Sequence, residues 1–214
     1  MHKRRAARRP LARFITFVGA VSILTGLSFL GYVGWQYFGT DIVSRQKHEK
    51  VTQQLVTNWD DGIDGDAIGL LRVERFGKDY EVPIVPGFDD KALASGVGWY
   101  EKGAASGQIG NFAIAAHRVT HGEPFRDFLE LRKGDKVEVE TRTRIYTYEL
   151  RDNGTDRTLD FTQGWVLDPV PGKKGEEATE PMLTMLTCSE LFHTRNRNIV
   201  FGDLIDTQQK GPRT

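Results

Sequence analysis

The chain holds one cysteine, Cys188, among 214 residues. A disulfide within the chain is therefore excluded. Neither sign of charge is in excess, because 29 basic residues balance 29 acidic ones. That balance averages two regions. Basic residues crowd the N-terminus, and the body beyond residue 40 is mildly acidic. A body of that kind gives no footing for nucleic acid. Internal repeats and low-complexity tracts are absent. The carboxylates form no calcium-loop pattern.

Charge is missing altogether from residues 14–40. A helix rises about 1.5 Å per residue and a bilayer core is about 30 Å thick, so this stretch is long enough to span. Lys3, Arg4, Arg5, Arg8, Arg9 and Arg13 precede it. The positive-inside rule keeps that end in the cytoplasm and puts the rest outside. A cleaved signal peptide has an apolar core of about 7–15 residues before a small-x-small site. Here the core is longer, and Trp35, Tyr37 and Phe38 occupy its exit. Length and bulk favour a retained anchor. The expected organisation is a basic cytoplasmic tail (1–13), a membrane helix (14–40), a helical linker (41–64), an outer domain (65–206) and a disordered tail (207–214).

Val51, Leu55, Val56 and Trp59 recur at helical spacing, which predicts an amphipathic helix across the linker. Gly62 and Gly65 mark a boundary loop. Beyond it, strands are expected at 68–73, 81–85, 111–115, 136–140, 145–150, 183–187 and 199–204. The segment at 81–85 carries Pro83 and is expected to be an edge strand or merely extended. Residues 141–144 are hairpin-length. Residues 125–129 suit one helical turn. Short strands between Gly- and Pro-bearing loops predict an all-β fold, a sandwich or barrel. Residues 164–180 read as a long exposed loop, which either grips substrate or is a plain surface excursion.

A lone thiol outside a membrane is either an inert core residue or a reactive one. Cys188 ends an apolar run and opens the polar segment Ser189-Glu190. His117 ends the apolar segment 111–116, and Arg195 and Arg197 follow the cysteine. A thiol, an imidazole and a guanidinium are the minimum parts for acyl transfer through a thioester. Cys188 is the candidate nucleophile and His117 the candidate general acid and base. Arg197 is the candidate oxyanion stabiliser, because a guanidinium is always charged and its donors are rigidly placed. His117 and His121 share a helical metal spacing, but Gly122 and Pro124 oppose a helix there. No metal or other cofactor is expected. His193 reads as a solvated loop residue, with a second base as the alternative.

Three segments together resemble the sortases, cell-wall transpeptidases of Gram-positive bacteria. Residues 183–188, Leu-Thr-Met-Leu-Thr-Cys, are similar to the family's Thr-Leu-x-Thr-Cys. Residues 113–118 are similar to its apolar strand ending in Gly-His, with Ala116 in place of the glycine. Residues 197–200 are similar to its Arg-x-Ile-Val. Residues 96–100, 110–111, 122–125 and 134–135 look most like the class E group of actinobacteria. Glu190 departs from the family's usual Pro.

The resemblance covers about residues 66–206. It implies a closed or nearly closed β-barrel of about eight strands with short helices. It implies Cys188, His117 and Arg197 as catalytic residues, and His121, Thr187 and Asn111 as substrate contacts. His121 stands where class E enzymes often carry Tyr, a position linked to reading the second residue of the sorting signal. The implied activity is cleavage of a Leu-Pro-x-Thr-Gly or Leu-Ala-x-Thr-Gly signal between Thr and Gly. The implied partners are surface proteins bearing that signal, an amine of a lipid-linked peptidoglycan precursor, and the membrane. The rival readings are a pilin polymerase with a lysine acceptor, and a non-catalytic tethered β-barrel.

Overall fold

The computed structural model describes residues 8–35, 39–61, 67–188 and 195–210. The expected boundary loop at 62–66, the loop with Glu190 and His193, and residues 1–7 and 211–214 lie outside them. Helix α1 (Arg8–Gly34) is one N-terminal apolar helix. Its residues 12–34, with mean hydropathy 1.9, are long and apolar enough to cross a membrane. The α-helix is described as far as Gly34, and residues 36–38, with Tyr37 and Phe38, lie outside the described residues. A separate compact unit begins at Asp41 and holds the rest of the chain.

That second unit opens with α2 (Thr40–Asp60) and continues into nine strands. They are β1 (Gly69–Val73), β2 (Val82–Pro86), β3 (Val97–Trp99), β4 (Gly110–Ala115), β5 (Lys136–Glu140), β6 (Arg144–Leu150), β7 (Thr158–Asp160), β8 (Pro181–Cys188) and β9 (Asn196–Gln209). A short helix, α3 (Asp90–Leu93), joins β2 to β3, its first turn capped by Asp89, which accepts from Ala92 N. The strand order is β6-β5-β1-β2-β3-β4-β8-β9, and β9 pairs back onto β6. Eight strands therefore close into a barrel, with β7 attached to the start of β9. Closure removes the exposed edges an open sheet would leave.

Alternation divides each strand between an inner and an outer face. Leu71, Val73, Ile84, Phe112, Ile114, Val137, Val139, Tyr148, Leu183, Met185 and Val200 fill the barrel. Leu70 and Val85 face outward and are buried beneath Leu55 of α2. Burying a side chain such as Leu55 stabilises the docked helix by about 2 kcal/mol. A second outer cluster, Val166, Leu186, Ile199 and Phe201, lies under the turn Gly164–Leu167.

Three expectations are corrected. The β2 strand is not an edge but lies between β1 and β3. Its rungs to β3 begin at Ile84, so the missing N–H of Pro83 breaks no bond on that side. The loop at 164–180 is not exposed throughout, because Val166 is buried against the barrel. The tail expected from 207 is strand as far as Gln209. Lys210 then pairs with the buried Glu140 and sits 4.1 Å above the Trp59 ring of α2.

His48 of α2 is buried, and burial together with Lys47 and Arg45 lowers its pKa to about 4. The folded state therefore disfavours the protonated ring. Its stabilising effect is complete above the unfolded value near 6.5 and is lost as pH falls towards 4. Between pH 7 and 4.5 this amounts to about 2–3 kcal/mol. Guanidinium unfolding of the full chain at the two pH values should show that loss. His48→Gln should reduce the pH dependence by the same amount, and an unchanged slope would remove His48 as its source.

Candidate active site

Strands β4, β8 and β9 are neighbours, and their registers set one row of residues beside another. Ala115 pairs with Leu186, and Leu186 pairs with Ile199. These three residues lie in the outer cluster. Two positions on, with period two, the next row on that face is 117, 188 and 197. Cys188 pairs in register with Arg197. Residue 117 lies just beyond β4, but the β4–β8 ladder continues towards it. Ala116 N donates to Leu186 O at 3.3 Å. Thr187 Oγ1 donates to Ala116 O at 2.9 Å. The residue before Cys188 is thus bonded to the residue before His117. Positions 117, 188 and 197 thus form one register row at one end of three adjacent strands.

Arg197 is held locally. Its Nη1 donates to Asn196 O at 2.9 Å, and its guanidinium lies 5.9 Å from the Phe161 ring centroid. Arg195 approaches the same ring at 5.4 Å and bonds Asp160 at 3.1 Å. The two arginines thus meet one exposed aromatic side chain. Phe161 was not anticipated from sequence. It follows β7, whose three residues are too short for a legible alternation.

His117 is half-buried, and its ring stacks on His121 with centroids 4.5 Å apart and planes at 24°. The His121 Nδ1 lies 3.0 Å from Thr120 Oγ1. His121 is thus a direct neighbour of the candidate base. The other expected substrate contacts are committed to the scaffold. Asn111 is buried, donates to Val166 O at 2.8 Å and Asp168 O at 3.0 Å, and accepts from Thr184 Oγ1 at 2.6 Å. Its amide fixes the start of the 164–180 loop rather than facing solvent. Thr187 is buried as well, and its hydroxyl is the tie to Ala116. Among the described residues, no group of three metal-ligating side chains gathers.

A sortase-domain family model matches residues 71–205, well over half of the chain. The chain is 30% identical to sortase SrtE1 of Streptomyces coelicolor, over 95% of its own length and 61% of that relative's. It therefore spans under two thirds of that longer protein. It is 27% identical to sortase SrtE2 of the same organism, over 98% of this chain and 91% of the relative. The solved structure of sortase E from Streptomyces avermitilis superposes with a TM-score of 0.60 at 35% identity, covering 67% of this chain and 91% of that one.

Proposed function

The chain belongs to the sortase family of cysteine transpeptidases, close to its class E members, and on that premise we propose that it is a membrane-anchored sorting enzyme. Its substrates are surface proteins with a Leu-Pro-x-Thr-Gly or Leu-Ala-x-Thr-Gly-like signal. The feature that carries this reading is the row 117, 188 and 197 on the outer face of β4, β8 and β9.

In this reading the Cys188 thiolate attacks the threonine carbonyl carbon of the Thr–Gly bond. The carbonyl oxygen becomes an oxyanion and Arg197 donates to it. The carbon–nitrogen bond breaks, and His117 gives the leaving glycine amine its proton. A thioester remains on Cys188. An amine of the peptidoglycan precursor then loses a proton to His117 and attacks the thioester carbon. The new amide forms, the carbon–sulfur bond breaks, and the thiolate returns.

The N-terminal helix makes the reaction local. Basic residues before it hold that end in the cytoplasm, and the unit from residue 41 works outside. Enzyme, unprocessed surface protein and lipid-linked acceptor then share one surface, which raises their effective concentration.

The test is mass spectrometry of the full-length chain in detergent. It is incubated with signal peptides carrying Pro or Ala at the second position. The expected result is an acyl adduct on Cys188 with at least one peptide, and transfer to an added amine. A folded sample that forms no adduct with any signal would end this reading.

A further inference from the structure

The loop after His117 contains three consecutive left-handed residues. His121 has φ 56°, Gly122 φ 79° and Glu123 φ 52°. Gly122 adopts this region freely, but its two neighbours do so at a cost of about 1–3 kcal/mol each. Such a turn persists only where its surroundings fix it. The downstream end of the loop is tied to the barrel side. Phe125 N donates to His117 O at 2.9 Å, and Tyr80 OH donates to Pro124 O at 2.9 Å. The strained residues themselves are held from α2. Asp41 Oδ1 accepts from Gly122 N at 3.0 Å. Arg45 faces Glu123 across 3.6 Å. His48 packs so closely that a Cβ on Gly122 would lie 3.0 Å from its Cε1.

We propose that Asp41 is a positioning residue for His117. Its carboxylate fixes the left-handed turn, the turn holds the His121 ring, and that ring stacks on the candidate base. Helix α2 is then part of the catalytic unit rather than a passive linker. Arg45 adds little by itself, because exposed ion pairs contribute up to about 1 kcal/mol. The Asp41 bond is charge-assisted and satisfies a backbone N–H directly, which makes it the stronger contact. Without it, residues 121–123 relax towards negative φ and the imidazole stack opens.

This inference rests on the reading of His117 as the acid and base. The experiment compares Asp41→Ala, Asp41→Asn and His117→Ala in the full-length chain, using a fluorogenic signal peptide and an amine acceptor. Asp41→Ala should lower kcat about tenfold, with KM within twofold and the thermal midpoint little changed. Asp41→Asn keeps an oxygen acceptor and should recover kcat to within about twofold. In a Cys188→Ala background, where no turnover occurs, the His117 and His121 ring-proton resonances should lose the upfield displacement of stacked rings on Asp41→Ala. If Asp41→Ala does not fold, Gly122→Ala decides, since its Cβ crowds His48 at 3.0 Å and a side chain at φ 79° strains the same turn. It should lower kcat and shift the same resonances.

An active His117→Ala chain would defeat the underlying catalytic reading. With His117→Ala inactive, wild-type kcat and unmoved resonances in Asp41→Ala would overturn the role of Asp41 alone. So would an Asp41→Asn chain as impaired as Asp41→Ala, or a Gly122→Ala chain that turns over normally.

Discussion

Cys188→Ala should abolish acyl-adduct formation and lower transpeptidation by at least about four orders of magnitude, to the uncatalysed background. No second thiol exists to take over, because Cys188 is the sole cysteine of the chain. The neighbouring Thr187 hydroxyl offers no substitute, because it is buried and bonded to Ala116 O. Cys188→Ser should be nearly as inactive, since an alcohol is a far weaker nucleophile than a thiolate without a strong base. Both variants should fold normally, because residue 188 is the last of β8. The measurements are adduct mass on the purified full-length chain and covalent surface-protein display in cells. Undiminished display with Cys188→Ala as the only sortase present would sink the enzyme reading.

The fold was legible wherever one face of a strand met solvent and the other met the core. The β5–β6 hairpin alternates for that reason, and its limits were read to within one residue. Alternation failed where something covers the outside. Leu70 and Leu71 are both buried, one under α2 and one in the barrel, so two adjacent apolar residues interrupt the alternation of β1. It failed again in β9. Tyr148 pairs with Leu204 and Thr147 with Asp206, so Ile205 is an extra residue in the ladder. That bulge breaks the period of two at the point where the strand was expected to stop, and β9 continues to Gln209.

The candidate site divides in the same way. His117, Cys188 and Arg197 carry chemistry that their residue types announce, and strand register brings their positions onto one row. Asn111 and Thr187 were expected to touch substrate, because both sit in the motifs. Their hydrogen bonds instead hold the scaffold. A polar residue in a motif can serve the backbone as readily as the ligand, and only burial separates the two. Asp41 was invisible for a different cause. Its partner Gly122 is distant in sequence, and no local pattern records a side chain that stabilises a remote turn.

His117→Ala should lower kcat/KM for a peptide amide about a thousandfold, within the range that a positioned acid and base contributes. The size of the effect follows from the leaving group. An amine expelled without a proton would depart as a strongly basic anion, so the Thr–Gly bond breaks only if a donor lies beside its nitrogen. A signal peptide whose scissile amide is replaced by an aryl ester has no such need, because a phenolate leaves unprotonated. The variant should therefore be rescued selectively, losing much less on the ester than on the amide when acylation is followed by the burst of phenolate. Stacking on His121 fixes the plane of the His117 ring, and the Thr187–Ala116 bond fixes its level on the row. Both hold the imidazole in a set place at the end of the row. Equal losses on ester and amide would show that His117 serves the thiol and not the leaving amine. Full activity on the amide would take His117 out of the mechanism, and with it the significance of the row that β4, β8 and β9 share.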